Sequence, residues 1–385
     1  MGHRPDYVPV VSYLAEVLNG TPFSVVDIGC SGGLHPRWRQ FGTRLRALGI
    51  DPNVAEIERL EKAETHPGVR YVSAHACLPV EHPFLQRKSG RGDWHRDSWH
   101  RMSVVKSQEI LKSRSLSASE KTAANLWSEM TLAEPSLAIV VPDYLRDNGM
   151  DSVDFLKIDI DAKDFEVLNS FDSALEKFGL LGLQLEVNFF GSELDTDHSF
   201  HNTDRFLKER GFELFELTGL RRYSLAALPS RYLHEFPAQT EFGRLLQGDA
   251  LYVRDLGCRD HREFADRLRP EKLLNLVCLF AVFNLPDCAA DIVLQFRARL
   301  SSFCDTEHLL DLLAAQAQGP EGPALSYWEW MERFQAQDDI FFPARSRAVS
   351  ATPSQGGNSL ATSIRRTLRR VVGGFLPHVR FRSKG

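Results

Sequence analysis

Short apolar runs rich in β-branched residues alternate along the chain with stretches whose apolar residues recur at helical spacing. The runs predict strands at residues 24–28, 46–50, 68–77, 154–159, 180–190, 212–217 and 249–254, and helices such as 54–63, 164–178 and 203–210 lie between them. This alternation predicts an α/β fold, a doubly wound sheet with helices on both faces. From about His261 the patterns over 264–268, 273–283, 289–300 and 307–315 all predict helices.

Three parts of the chain follow from these patterns. We predict a sheet domain over residues 1–255 and a helical extension over 256–342, packed on the sheet or on a second subunit of a homo-oligomer. The composition of residues 343–385 predicts a Ser-, Pro- and Gly-rich linker followed by a basic tail.

The first two predicted strands carry the clearest functional pattern. The first ends in DIGCSGG, residues 27–33, a turn of small side chains whose backbone can approach a ligand closely. The second ends on Asp51, followed by Pro52 and Asn53. A βαβ unit with a glycine turn after its first strand and an acid after its second is the usual frame for an adenosine-containing cofactor. The alternative is a turn that only packs against a helix.

The charges around the turn favour one cofactor over another. A dinucleotide site uses G-x-G-x-x-G, but Ser31 stands at the second glycine, and Asp27 would repel a pyrophosphate. S-adenosylmethionine carries an ammonium and a sulfonium, which suit an acid at the strand end. Asp51 can accept hydrogen bonds from ribose hydroxyls. The third strand ends at His75 and Ala76 with no acid, so adenine would meet backbone groups and Ala76 there.

Composition and charge narrow the classes of function. With 43% hydrophobic and 25% charged residues the chain has ordinary globular composition. Six cysteines without CxxC spacing argue against a zinc or redox site and for a reducing, cytoplasmic compartment. No signal-peptide or myristoylation pattern is seen, and the apolar stretch 273–285 is too short to span a bilayer.

The charge is distributed unevenly along the chain. Residues 343–385 contain nine Arg or Lys and no acid, and subtracting those nine from the net charge of −5 leaves −14 for the rest. An acidic body argues against a nucleic-acid partner. In the tail, apolar residues from Leu360 to Phe375 recur at helical spacing opposite four arginines. This predicts a basic amphipathic helix that binds an anionic membrane surface or docks on the acidic body.

The segment 79–135 is long, polar and initially basic, and it includes Trp94-His95 and Trp99-His100. An insertion of this length in an α/β unit is usually either a functional lid or a loop without regular structure. Trp beside Arg and His suits a sugar face or an anionic group. The sequence leaves lid and surface loop equally open.

Four segments resemble the FkbM-type S-adenosylmethionine-dependent methyltransferases: VVDIGCSGG, LGIDPN, VDFLKIDIDAKDFEVL, and LLGLQLEVNFF followed by FLKERGFELFEL. The third is the most specific, and it departs from the family pattern at Asp161, Ala162 and Asp164. The resemblance covers about residues 23–255. It implies a Rossmann-like, seven-stranded class I methyltransferase sheet with one antiparallel strand, for which 249–254 is the candidate. It also implies O-methylation of sugars, polyketides and other secondary metabolites, although the substrate does not follow from the fold.

Site residues follow from these patterns together. The predicted cofactor-binding residues are Asp27, Gly29, Cys30, Ser31, Gly32, Gly33, Asp51, Pro52, Asn53, His75, Ala76 and Asp159. Asp159, at the end of the central strand, could hold the methionine end or face the acceptor. Candidate catalytic residues are Asp159, His100 and His198, with His95 and His201 as further loop histidines. Asp159, Asp161, Glu186 and Asn188 could also form a Mg²⁺ site. We favour the alternative, in which Glu186 and Asn188 only cap and hydrogen-bond locally.

The predicted function is therefore an S-adenosylmethionine-dependent O-methyltransferase acting on a hydroxyl of a small molecule or glycan. A lipid-linked glycan at the inner membrane face is one candidate acceptor. Two alternatives remain open: a non-catalytic relative that serves as a binding or assembly module, and a nicotinamide enzyme, which Asp27 and Ser31 disfavour.

Overall fold

A computed structural model describes residues 8–87, 137–160, 163–189, 194–223, 242–257, 261–320 and 324–336. The described strands are β1 (Phe23–Ile28), β2 (Leu45–Asp51), β3 (Val69–Ala76), β4 (Leu137–Ile139), β5 (Phe155–Ile158), β6 (Gly182–Asn188), β7 (Glu213–Tyr223) and β8 (Arg244–Val253). The helices of the sheet region are α1 (Pro9–Val17), α2 (Val54–Ala63), α3 (Pro83–Arg87), α4 (Val141–Asp147), α5 (Asp164–Phe171), α6 (Ala174–Lys177) and α7 (Phe200–Lys208). Six described helices follow β8: α8 (Arg262–Arg267), α9 (Pro270–Val282), α10 (Pro286–Gln295), α11 (Arg297–Leu300), α12 (Thr306–Gln318) and α13 (Tyr327–Ala336).

The described strands form one sheet in the order β4-β3-β2-β1-β5-β6-β8-β7. β1 to β6 pair in parallel, and β8 is antiparallel to both of its neighbours. The predicted α/β class and the antiparallel strand at 249–254 are confirmed. The sheet has eight strands rather than the seven expected, because β4 adds an edge strand beside β3.

Two local predictions are wrong. The connection from β1 to β2 is a 3-10 helix (Pro36–Arg44) instead of an α-helix, and Gly42 breaks it with φ +51°. The positive φ of Gly42 interrupts the helical backbone six residues after Pro36, which leaves too short a run for an α-helix of ordinary length. The helix predicted over 164–178 is divided at Asp172, where φ is 7° and ψ is −103°.

Each face of the sheet buries its own hydrophobic cluster. On one face, β1, β2 and β5 pack against α1, the 3-10 helix and α9 to α12. On the other face, β5 and β6 pack against α4, α5 and α7. Phe155 of β5 meets Phe283, at the end of α9, at a ring distance of 5.3 Å. The helices after β8 therefore share a core with the sheet.

A buried polar cluster joins α9 to the amino-terminal edge of the strands. Asp154 is almost fully buried, and its Oδ2 accepts a hydrogen bond from the Ser24 backbone N–H at 2.7 Å. From α9, Lys272 Nζ and Asn275 Nδ2 donate to Asp154 Oδ1 at 2.7 Å and 3.1 Å. Since a buried carboxylate needs such partners, α9 completes the environment of the residue that precedes β5.

Residues 1–327 form one compact unit and 328–385 a second. Of the second unit the structure describes residues 328–336, which are helical within α13 (Tyr327–Ala336). The predicted lid, beyond residue 87, and the predicted basic tail lie outside the described residues. Within the described ranges, no helix combines the length and apolar content needed to cross a bilayer.

Candidate functional site

The glycine turn after β1 joins the ends of three strands. Gly29 has φ +84°, and its N–H donates to the carbonyl of Ile50, the residue before Asp51, at 2.8 Å. A Cβ at Gly29 would lie 1.8 Å from the backbone oxygen of Asp159, so the end of β5 passes directly against the turn. Only glycine fits this position. The turn thus places Asp51 and Asp159 on its two sides at the carboxyl edge of the sheet, which is where the ligand crevice of an open α/β sheet lies.

The segment after the turn bears on the choice between the two cofactors. Gly32 and Gly33 also have positive φ, +85° and +89°, and the chain then enters the 3-10 helix at Pro36. No α-helix begins within residues 29–53, all of which are described. A pyrophosphate is held by the N-terminus of an α-helix. The nicotinamide alternative therefore lacks its phosphate site at this turn.

Asp51, the acid that ends β2, is held in a fixed orientation. Asp51 is buried, and its Oδ1 accepts a hydrogen bond from the Asn53 N–H at 2.8 Å. Asn53 caps α2 by accepting from the Glu56 N–H at 3.1 Å. Within the described residues Asp51 Oδ2 has no hydrogen bond, so it can accept from a ligand hydroxyl. This geometry fits the predicted ribose contact.

Three charged side chains form what we call the Asp–Lys–Asp trio (Asp27, Lys157 and Asp159). Lys157 stands opposite Asp27 in the parallel pairing of β1 with β5, so their side chains share a face. The Lys157 Nζ lies 3.3 Å from Asp27 Oδ1 and 3.2 Å from Asp159 Oδ2. Side-chain exposure rises from 3% at Asp27 to 26% at Lys157 and 45% at Asp159, so the trio opens outward at Asp159.

Burial and charge act against each other within the trio. Burial raises the pKa of Asp27 to about 6, although the Lys157 ammonium opposes the rise. Burial works to lower the pKa of Lys157, but the carboxylates of Asp27 and Asp159 outweigh it and raise that pKa overall. Lys157 therefore stays charged, while Asp27 changes protonation just below neutral pH. Sequence reasoning gave Lys157 no role, although its position two residues before Asp159 places both on one face of the chain.

A second group of polar side chains lies farther along the same edge. Asp249 of β8 stands opposite Glu186 of β6 and Thr218 of β7. Glu186 is bound by the Gln247 amide and lies 3.9 Å from Arg221 Nη1. Asp249 makes no hydrogen bond or ion pair within the part of the chain that the structure describes. Burial, and next the carboxylate of Asp159, raise its pKa against the charges of Arg221 and Lys157.

Sequence reasoning missed Asp249. The available signal was an acid among apolar residues in the strand predicted to be antiparallel. Asp249 is the first residue of the predicted strand 249–254, and an antiparallel strand starts at the edge where its parallel neighbours end. An acid at that place was therefore a candidate for the site.

The predicted catalytic histidines divide into two groups. His198 is buried, with Nε2 2.9 Å from the Glu186 carbonyl oxygen and Nδ1 3.8 Å from Asp164 Oδ2. Both of its ring nitrogens thus face protein groups, which favours a role in holding the segment after β6 against α5. His201 is exposed and contacts Ser199 Oγ at 3.3 Å. His95 and His100 lie outside the described residues.

The four residues of the disfavoured Mg²⁺ site have different surroundings. Asp161 lies outside the described residues, Glu186 is bound by Gln247, and Asn188 Nδ2 donates to the His198 carbonyl oxygen at 3.4 Å. Within the described ranges no three His, Cys, Asp or Glu side chains are grouped to hold a metal ion. The geometry thus gives Glu186 and Asn188 local partners.

The end of β3, where adenine was expected, carries the extra strand. His75 and Ala76 pair with Ala138 and Ile139 of β4, and the Cys77 N–H donates to the Ile139 carbonyl at 2.9 Å. His75 is exposed and Ala76 half-buried. Some of the backbone groups that we expected to hydrogen-bond adenine are therefore already paired with β4. The side chain of Ala76 stays as the predicted contact for the base.

Comparison with known proteins gives one family match. The methyltransferase FkbM domain model matches residues 103–214, from the undescribed segment before β4 to the start of β7. This range contains Asp159 but not the glycine turn or Asp51. No curated protein matches the chain.

Solved structures similar to the chain include three methyltransferases. A putative S-adenosylmethionine-dependent methyltransferase from Listeria monocytogenes has 13% identity and a TM-score of 0.29, covering 64% of this chain and 98% of the other. A putative methyltransferase from Thermoplasma acidophilum has 7% identity and a TM-score of 0.27, covering 61% and 69%. Magnesium protoporphyrin IX methyltransferase from Synechocystis PCC 6803, solved with its bound cofactor, has 11% identity and a TM-score of 0.26, covering 64% and 76%.

The strand order and pairing described above define the fold. The family resemblance predicted from the motifs is confirmed over residues 103–214, which match the FkbM methyltransferase domain and support an S-adenosylmethionine-dependent methyltransferase.

Proposed function

We propose that this protein is an S-adenosylmethionine-dependent O-methyltransferase that acts on a hydroxyl of a sugar, glycan or secondary metabolite. The observation that carries the proposal is the meeting of three strand ends at the glycine turn. The Gly29 N–H donates to the carbonyl of Ile50, the residue before Asp51, and Gly29 packs against the backbone of Asp159. The FkbM match supports the methyltransferase class. Oxygen as the acceptor atom and the hydroxyl-bearing substrate go beyond that match.

The residues at the crevice fit the cofactor's separate parts. S-adenosylmethionine supplies a methyl group on a sulfonium that is already activated for displacement. Asp51 would accept from the ribose hydroxyls through Oδ2, and the carboxylates of Asp27 and Asp159 would balance its positive groups. The protein then has to align the acceptor and exclude water, and alignment can lower the barrier by roughly 7–11 kcal/mol.

A hydroxyl acceptor must also lose its proton during transfer. Asp249 is the carboxylate we assign to that step, because burial and Asp159 raise its pKa and no protein group within the described residues hydrogen-bonds it. A base whose pKa lies closer to the working pH removes a proton more effectively. His198 is less suited, since both ring nitrogens face the protein. His100 and Asp159 stay predictions for this role.

A methyl-transfer assay tests the proposed acceptor class. The purified full-length chain is incubated with methyl-labelled S-adenosylmethionine and acceptors that differ only in carrying a hydroxyl, an amine or a thiol. We expect label in the hydroxyl compounds, with sugars and glycans among the substrates. Label only in amines or thiols would contradict O-methylation. Binding of S-adenosylhomocysteine without transfer to any acceptor would favour the non-catalytic alternative.

Cofactor binding is expected to weaken below pH 6. Asp27, whose pKa burial raises to about 6, is ionised above that pH and protonated below it. Protonation removes a negative charge beside Lys157 and Asp159, so affinity for the cationic cofactor falls by up to roughly tenfold per pH unit below pH 6 and stays flat above pH 7. Calorimetry from pH 5 to 8 measures this, and Asp27→Asn should give a flat profile. An unchanged slope in Asp27→Asn would assign the titration to another group.

The sequence of residues 343–385 is the basis for the proposed binding to a membrane surface. Nine basic residues without an acid favour an anionic lipid surface, where a lipid-linked glycan would be presented. Flotation with anionic liposomes should recover the full chain and lose a chain that ends at Gln355. Equal recovery of both would remove this part of the proposal.

A further inference from the structure

The Asp–Lys–Asp trio poses an electrostatic problem for a purely cationic ligand. Asp27 is buried and needs a counter-charge, which Lys157 supplies at 3.3 Å. Asp159 is nearly half exposed and needs none, yet the same ammonium lies 3.2 Å from it. A ligand that brought only positive charge to this place would meet Lys157 as well as the two acids.

An α-amino acid end solves this problem because it carries both signs. Its carboxylate and ammonium are attached to one carbon, so they present opposite charges a few ångströms apart. Lys157 and Asp159 present the complementary pair in the same spacing, and Lys157 has three N–H donors for two described carboxylate contacts. Lys157 and Asp159 are also the two members of the trio whose side chains are exposed to solvent.

We propose that Lys157 binds the α-carboxylate of the cofactor's amino-acid end, while Asp159 binds its ammonium. The proposal rests on the proposed function, and it deepens it by naming the part of the cofactor that this strand recognises. Lys157 thereby has two roles, since it neutralises buried Asp27 and selects ligands that carry an amino-acid end. A ligand without that end gains nothing from Lys157.

Two ligands that differ only in this end provide the test. S-adenosylhomocysteine carries the amino-acid end, and 5′-methylthioadenosine lacks it. Calorimetry on the full-length chain should show tighter binding of S-adenosylhomocysteine. Lys157→Met should weaken S-adenosylhomocysteine by roughly 10- to 100-fold, the range for a lost charged hydrogen bond. It should leave 5′-methylthioadenosine within about threefold.

Controls separate this recognition from effects on folding. Lys208→Met removes an exposed lysine that pairs with Asp204 at 3.4 Å on α7, and it should change neither affinity. If Lys157→Met does not fold, Asp159→Asn keeps the Asp27–Lys157 pair and should still weaken S-adenosylhomocysteine selectively. Thermal melting identifies a folding defect in either variant.

The outcomes distinguish the inference from the function on which it rests. Equal losses for both ligands, or no loss for either, in the folded variants would overturn the assignment of Lys157 while leaving a cofactor-binding protein. A wild-type chain that binds neither ligand would overturn the proposed function and this inference together.

Discussion

Replacing Asp249 with asparagine is expected to lower kcat by roughly 10²- to 10⁴-fold, the usual contribution of a general base. Asparagine keeps the shape of the side chain but cannot take a proton from the acceptor hydroxyl. Asp249 lies between Glu186 and Thr218 in the pairing of β8, with Asp159 close enough to raise its pKa. Because it belongs to a strand and not to a loop, the substitution should leave the crevice in place.

The measurement pairs turnover with binding. Affinity for S-adenosylhomocysteine should stay within about threefold in Asp249→Asn, because Asp249 is assigned to the acceptor and not to the cofactor. The acid limb of the kcat/KM profile should disappear in the variant. Asp143→Asn, in an exposed pair with Arg146, is the matched control. Unchanged turnover in Asp249→Asn would place the base elsewhere, with His95 and His100 as the next candidates.

Lys272→Met is expected to lower the free energy of unfolding by about 3–5 kcal/mol, as for other buried ion pairs broken on one side. Lys272 Nζ lies 2.7 Å from Asp154 Oδ1, and Asp154 is almost fully buried. Methionine leaves that carboxylate with Asn275 and the Ser24 N–H but removes the lysine that forms its ion pair. The effect should be large because the pair joins α9 to the strand edge.

Urea unfolding followed by circular dichroism measures the difference. Lys62→Met on the exposed face of α2 should change stability by less than about 0.5 kcal/mol. The double variant Asp154→Asn with Lys272→Met should recover part of the loss, because it removes the unpaired charge. A loss below about 1 kcal/mol in Lys272→Met would show that Asp154 is hydrated in the native state.

The sheet could be predicted from the sequence because its signals are local. Runs such as 24–28 and 180–190 are long enough to be recognised as buried strands, and the glycine turn and Asp51 are fixed by residues next to them. β4 was missed because three residues between a long insertion and a helix give no period. The 3-10 helix was missed because a βαβ pattern was extended across Pro36 and Gly42.

The site was less predictable because it depends on which strands pair and on the register of each pairing. The contact between Lys157 and Asp27 exists because the two residues are opposite each other in β1 and β5, which are more than a hundred residues apart in the chain. The Asp249 environment likewise comes from the pairing of β8 with β6 and β7. The burial of His198 against Asp164 also depends on packing between elements. Single-sequence patterns specify which residues end strands, but not which strands pair.

Titration calorimetry of the full-length chain with S-adenosylhomocysteine tests the central claim most directly. We expect one site per chain, competition by S-adenosylmethionine, no competition by NAD, and a loss of roughly tenfold or more in Asp51→Ala, where the ribose contact is removed. No detectable binding by the folded protein, or binding that Asp51→Ala leaves unchanged, would contradict the assignment of the crevice beside Gly29 as the cofactor site.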